Sequence, residues 1–338
     1  MQKKAIKTLY VTNMYPTPEH PVDGIFIEEQ IQDLSKTISL KKEIFLIDSV
    51  YKGKKEYVKS LFTIPKIIQS KAFDVIHVHY GISGLFLLFF KPKAKVFLTL
   101  HGSDIQKRKG NGWQVWLTRK ILSKADQVFV QNRTMEDLVI PYNPNVSIVT
   151  CGVDADFFRP ELPCDTFTGS KLILFPSSPK REVKNYSLFT KVINRINEKV
   201  SFPVAFACID QLSRSEVRSL LNKADCLLLT SKTEGSPQVV KEALSCNLPV
   251  VSVPVGDVDE IMDSVPNCFV APSHEVEELS DLVIRVLQSK KQNIREVFLK
   301  KEKYHHQAIA KTLAYHYTRK IDEELKHSKS KNLVASVY

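Results

Sequence analysis

A chain of 338 residues is longer than one ordinary hydrophobic core fills, so two domains are expected. Apolar residues make up 43%, a globular level, and the longest unbroken apolar candidate, Leu85–Phe90, falls far short of the roughly 18 residues that would span a bilayer. The net charge of +11 points to an anionic partner: nucleic acid, an anionic membrane surface or a phosphorylated ligand.

The opening Met1-Gln-Lys-Lys-Ala-Ile runs straight into a strand pattern with no signal-peptide core, so a cytoplasmic location is expected. Strands are predicted at Lys7–Thr12, Glu43–Asp48, Asp74–Val78, Lys95–Leu100, Gln127–Gln131 and Val146–Thr150. Between them lie helical patterns at Ile25–Lys36, Lys55–Gln69, Gly84–Phe90, Trp113–Ser123 and Arg133–Val139. Short apolar strands alternating with helices read as a parallel sheet covered on both faces. The second half repeats the pattern. Its strands are Lys171–Phe175, Val204–Cys208, Asp225–Thr230, Leu248–Val253 and Cys268–Val270, with helices at Ser187–Asn197, Arg214–Lys223, Pro237–Ser245 and Glu275–Gln288. The stretch Asp156–Ser170, with Pro160, Pro163 and Gly169, suits a linker. The expected domains are 1–158 and 159–300, both Rossmann-like, followed by a helix over 301–326 that packs back on the body.

Two basic segments also carry aromatics. Tyr51–Phe73 interleaves six lysines with Tyr57 and Phe62, and Gln106–Lys124 sets Lys107, Arg108, Lys109, Arg119, Lys120 and Lys124 beside Trp113 and Trp116. Such helices suit the surface of an anionic bilayer, and equally a solvated face over a core. The six cysteines show no CxxC spacing and read as buried, reduced thiols. His77 and His79 share one strand face without a third ligand, so no metal is expected. No GxGxxG, Walker loop or HExxH occurs.

The densest chemical signal is the run from Cys226 to Ser252. A buried strand ends near Thr230, and a loop follows. Ser236 then fits an N-cap and Pro237 a first helical position, and Asn247 and Pro249 close the helix. The loop therefore sits at the carboxyl end of a strand, where open α/β sheets bind ligands. The amides of Ser236 to Val239, at the positive end of the helix dipole, form an anion site. Glu234 precedes that site and Glu242 follows it, and carboxylates accept hydrogen bonds from vicinal hydroxyls. A sugar on one side and a ribose on the other fits this spacing, as do a cap and a surface position. A second strand–loop–helix, Leu172 to Tyr186, carries Lys180, Arg181 and Lys184, cations able to neutralise a diphosphate.

These residues resemble the retaining glycosyltransferases of family 4, which have the GT-B fold. Glu234 and Glu242 match the family's E-x7-E motif, with Gly235-Ser236-Pro237 in its middle, and Arg181 and Lys184 match its diphosphate-gripping pair. Cys151–Pro160 looks like the family's hinge segment, Leu100–Asp104 like its histidine loop, and Tyr15 to Gln30 like its opening strand–loop–helix. The loop before Arg181 departs from the pattern, reading Ser-Ser-Pro-Lys in place of a glycine-rich turn.

The resemblance implies an α/β enzyme of two Rossmann-like domains facing each other across a cleft that holds the active site. It implies that Glu234 contacts the donor sugar, that amides from Gly235 to Gln238 hold the diphosphate with Arg181 and Lys184, and that Glu242 binds the ribose. His101 would sit near the reacting carbon or the acceptor, and Gly24 would let its loop approach the donor. It implies a nucleotide-sugar donor, a glycan or lipid-linked acceptor in cell-surface polysaccharide synthesis, retention of configuration, and neither metal nor cofactor. The remaining alternatives are a nucleotide-sugar epimerase or phosphorylase on the same fold, and a basic nucleic-acid-binding protein. Peripheral attachment to the cytoplasmic face of a membrane fits the basic helices.

Overall fold

The computed structural model describes residues 5–108, 110–161 and 169–319. Lys109, the middle of the expected linker with Cys164, and the expected tail beyond residue 319 lie outside the described residues. The chain divides into two units. The first runs to Thr150 and resumes at Ile309; the second is Cys151–Ala308.

The first unit holds six parallel strands: β1 (Ile6–Thr12), β2 (Leu40–Leu46), β3 (Val75–His79), β4 (Lys95–Thr99), β5 (Gln127–Val130) and β6 (Val146–Ile148). Their order is β2-β1-β3-β4-β5-β6. The helices are α1 (Ile25–Thr37), α2 (Ser49–Lys52), α3 (Lys55–Ser70), α4 (Gly112–Leu122) and α5 (Arg133–Val139). Gly81–Leu88 is a 3-10 helix that overlaps the helical segment expected over Gly84–Phe90. β3 is buried at every position, as a central strand covered on both faces must be.

Register explains how polar residues come to share one face of this sheet. Tyr10 pairs with His77 and His77 with Phe97, while His79 pairs with Thr99 and Thr99 with Phe129. In-register neighbours in a parallel sheet project to the same side, as do alternate residues along a strand. That side is covered by the helix of residues 306–319, whose Ile309, Leu313, Ala314 and Tyr317 join a core with Leu34, Val75, Phe97, Phe129 and Val149.

The second unit holds β7 (Lys171–Phe175), β8 (Val204–Cys208), β9 (Cys226–Leu229), β10 (Val250–Ser252) and β11 (Phe269–Val270), all parallel. Their order is β11-β10-β9-β7-β8. The helices are α6 (Tyr186–Lys199), α7 (Arg214–Lys223), α8 (Gln238–Ser245), α9 (Val258–Met262), α10 (Val276–Gln288) and α11 (Ile294–Leu299). The division falls at 150/151, earlier than the 158/159 read from sequence. Val153 and Phe158 are the reason, since both are buried in the second unit's core, and the Val153 amide donates to the Tyr304 carbonyl. In each sheet the first strand lies between the second and the third, so the chain reverses direction across the sheet there. Such a switch point opens a crevice at the carboxyl ends of the two central strands.

Candidate functional site

The switch point of the second unit lies between β7 and β9, and the loops leaving these strands are laced together. Thr230 Oγ donates to the Lys184 and Asn185 carbonyls at 3.1 and 3.2 Å, and the Lys232 amide donates to the Val183 carbonyl at 2.8 Å. This lacing delivers Lys184 Nζ to 2.6 Å from Glu234 Oε1, with both side chains largely buried. Two residues predicted from separate motifs, 50 positions apart, thus form one ion pair. Arg181 stands at the start of the same short turn, exposed, and its guanidinium makes no ion pair among the described residues.

The helix cap differs from expectation by one residue. α8 begins at Gln238, and Pro237, with ψ of 110°, is the cap residue outside it. Ser236 does not cap. Its hydroxyl donates to Asp257 Oδ2 at 2.7 Å and receives a 2.6 Å hydrogen bond from Lys241 Nζ. Proline at the cap position supplies no side-chain oxygen, so the cap residue itself makes no side-chain hydrogen bond to the first turn of α8. The far end is as predicted: Asn247 takes φ of 63°, and the Leu248 amide reaches back to the Ala243 carbonyl at 2.9 Å.

Gly235 is buried beneath the turn at Gly256. That glycine has φ of +60°, and a Cβ there would stand 2.5 Å from the Gly235 carbonyl oxygen. Gln238 sends Nε2 to the Gly152 carbonyl at 3.4 Å. Glu242, only 3% exposed, has Oε1 held at 2.7 Å by Arg214, whose guanidinium lies over the Phe158 ring. Arg214 therefore takes one oxygen of the Glu242 carboxylate.

Arg214 and Lys241 were missed in the sequence. Arg214 opens a helix whose capping box, Ser213 with Glu216, accounts for the local pattern, so nothing nearby signals a distant partner. Lys241 is fully buried, donating to the Cys151 carbonyl at 2.7 Å as well as to Ser236. A signal existed, because Lys241 and Glu242 interrupt a helix buried continuously from Val240 to Ser245. Burial lowers the Lys241 pKa, partly offset by Asp257, and burial raises that of Asp257, partly offset by Lys241.

In the first unit, Gly24 and His101 come from the loops after β1 and β4. Gly24 has φ of +64°, and a Cβ would meet the Met14 carbonyl oxygen at 2.6 Å, so its need for glycine is set by its own chain. His101 is partly buried against Tyr80 and Phe26, with ring centroids at 4.4 and 5.1 Å. Its Nε2 lies 3.2 Å from His79 Nδ1. The loop is tied by Asp104, whose carboxylate accepts from the amides of His101, Gly102 and Gly81. Burial lowers the His101 pKa to about 3 and holds His79 well below the ordinary value. His77 is bonded to Tyr317 and Thr99 on its two nitrogens, both at 2.7 Å. Tyr80, with φ of 67°, holds a conformation that is costly for a bulky residue beside His101.

The chain matches two family descriptions in tandem: Glycosyltransferase Family 4 over residues 37–157, and Glycosyl transferases group 1 over residues 194–305. It belongs to the family 4 glycosyltransferases. A putative teichuronic acid biosynthesis glycosyltransferase of Bacillus subtilis, TuaC, is 22% identical, over 83% of this chain and 89% of its own. The N-acetyl-alpha-D-glucosaminyl L-malate synthase of Bacillus anthracis is 23% identical, over 66% and 68%. Among solved structures, sucrose-phosphate synthase from Thermosynechococcus elongatus superposes with a TM-score of 0.72 at 13% identity, over 95% of this chain and all of that one. Anabaena HepE in complex with UDP gives 0.58 at 14% identity, over 97% and 100%. As a family 4 glycosyltransferase, the chain has the GT-B fold of two parallel-sheet α/β domains, and its E-x7-E carboxylates are the two that the second unit holds in ion pairs. Among the described residues no helix is long and apolar enough to cross a membrane.

Proposed function

We propose that this glycosyltransferase moves a hexose, with retention and without a metal, from a nucleoside-diphosphate sugar to a glycan or lipid-linked acceptor in cell-surface polysaccharide synthesis. The observation that carries the reading is the ion pair of Lys184 with Glu234 beside the start of α8. Lysine has three N–H donors, so Lys184 can keep Glu234 in place and still bind a diphosphate oxygen. Arg181 adds a guanidinium, and the first turn of α8 adds amides and the positive dipole end. Fixed positive charge of this kind stabilises a departing diphosphate. In the proposed reaction the bond from the anomeric carbon to the diphosphate oxygen breaks, and the acceptor oxygen bonds on the same face. The acceptor's hydroxyl proton leaves with the nucleoside diphosphate. Glu234 orients the sugar through its hydroxyls, Glu242 the ribose, and His101 the reacting end. The relatives' roles in teichuronic acid and glucosaminyl malate synthesis support a surface-glycan or small-glycoside product.

Replacing Arg181 and Lys184 together by alanine removes two charge-assisted contacts and is expected to weaken donor binding by about 100-fold or more in calorimetric titration. Unchanged affinity for the true donor sinks the assignment. A thermal-shift panel of UDP-, GDP- and ADP-sugars names the base, because a ligand that binds only the folded state raises its melting temperature. Release of an altered sugar with no acceptor present would instead indicate an epimerase.

A specific observation favours membrane contact on the first unit. Phe62, Phe89, Trp113 and Trp116 are all about half exposed or more, and Lys54 and Lys120 sit over the two tryptophan rings at 5.8 and 5.9 Å. Aromatic residues interleaved with lysines suit an anionic headgroup layer. Co-sedimentation with phosphatidylglycerol vesicles should fall with salt and with Trp113→Ala and Trp116→Ala together; insensitivity to both counts against contact.

A further inference from the structure

The proton between His79 and His101 can be placed. A hydrogen bond between two neutral imidazoles holds one proton, donated by one ring or the other, and each ring's tautomer follows from which. The remaining nitrogen of His79 decides the matter. His79 is fully buried, and no group among the described residues bonds to its Nε2. A proton there would be a buried donor with nothing to receive it, whereas a bare acceptor in the same place is the less costly defect. The His79 proton therefore sits on Nδ1 and is donated to His101 Nε2 at 3.2 Å. Protonating both nitrogens of either ring would put a cation against stacked neighbours, with His77 and His79 centroids 4.5 Å apart and His79 and His101 5.4 Å apart. His101, neutral and accepting on Nε2, carries its own proton on Nδ1, which makes no hydrogen bond among the described residues.

We propose that His79 is a positioning residue that locks His101 as a neutral Nδ1–H donor. An imidazolium would be drawn to the diphosphate; a neutral N–H with a fixed tautomer selects an uncharged acceptor. Its turnover half rests on the reading that His101 serves the reaction, and its structural half is testable without any substrate.

The test is a two-bond proton–nitrogen correlation spectrum of the full chain labelled with nitrogen-15 histidine near pH 7, His101 being assigned by the signals lost in His101→Gln. The expected spectrum shows His101 protonated on Nδ1 alone. His79→Asn, which keeps a donor where Nδ1 was, should preserve that pattern, and His79→Leu should move the proton to Nε2. An Nε2–H or doubly protonated His101 in the unaltered chain overturns the proposal, whether or not the leucine variant folds. An Nδ1–H pattern that persists in His79→Leu overturns it as well. In turnover, His79→Leu should lower kcat by about tenfold or more with a smaller change in KM for the donor, and His79→Asn should restore most of it. An asparagine variant as slow as the leucine one contradicts the positioning role. Because the spectra need no donor, the absence of sugar transfer would count against the proposed function and leave the tautomer assignment standing.

Discussion

Around the end of β9, Lys184 meets Glu234, Arg214 meets Glu242, and Lys241 reaches Asp257 through the Ser236 hydroxyl. Around the end of β3, His77, His79 and His101 meet Tyr10, Tyr317 and Thr99, with the imidazoles held neutral by burial. Both places lie beside the switch point of a sheet with the same strand arrangement. One is furnished with compensated charge and the other with uncharged hydrogen-bonding rings. Equivalent backbone positions are thus given opposite electrostatic character by side chains alone: paired charge on one sheet, and neutral hydrogen-bonding rings on the other.

Acid should separate the two most strongly. In the unfolded chain the three histidines take up protons near pH 6.5, whereas in the folded chain burial delays His77 and His101 to about 3. Unfolded chains then bind more protons below pH 6.5, so stability falls as pH falls through that window, by as much as about 1.4 kcal/mol per pH unit for each ring. Asp104 and Asp257 work the other way, since burial raises their carboxyl pKa values and the folded chain takes up those protons first. Urea midpoints at pH 7 and pH 5 check the sign. A midpoint that does not fall would mean that the rings are accessible or charged, and the contrast would fail.

Breaking one buried pair comes next. Glu242→Ala leaves Arg214 with its charge only a quarter exposed, and should cost about 3 kcal/mol in denaturant unfolding. Glu242→Gln, which can still accept a hydrogen bond, should cost less. Gly256→Ala is expected to cost about 2 kcal/mol, because φ of +60° and the 2.5 Å approach to the Gly235 oxygen both resist a methyl group. It should also weaken nucleoside diphosphate binding, since Gly235 is the residue that would be pushed. The equivalent change in the first unit, Gly24→Ala, should cost a similar amount in denaturant unfolding, because φ of +64° and the 2.6 Å approach to the Met14 oxygen resist a methyl group in the same way. Smallest of all, Trp113→Ala with Trp116→Ala should shift stability by no more than about 0.5 kcal/mol per residue, both side chains being about half exposed.

Legibility in the sequence followed the range of the forces involved. Lys171–Phe175, Val204–Cys208 and Arg214–Lys223 match the observed elements residue for residue, because apolar periodicity and a capping box are local signals. The five-residue α9 was missed, being shorter than the period needed to recognise it. Ser236 fitted a cap by type, but Lys241 and Asp257, one of them 21 residues away, hold its hydroxyl. Of the candidate site, Glu234 and Lys184 each stood out through a motif, but their pairing across 50 residues did not. The partnership of Arg214 with Glu242 was not legible, because it depends on two helices packing across 28 residues of sequence. The histidine cluster was half visible: alternation put His77 and His79 on one face, but only strand register and the helix at 306–319 supply Thr99 and Tyr317.

That helix has a consequence for the chain as it leaves the ribosome. Val75, Phe97, Phe129 and Val149 are all synthesised before residue 150, yet the side chains that cover them, from Ile309 to Tyr317, emerge about 160 residues later. The second unit is continuous, Cys151–Ala308, and can close as soon as it is made. The first sheet must wait with an apolar face uncovered, so a chain cut short just before Ile309 and released carries a complete second unit and a first unit that is open to aggregation and chaperone capture.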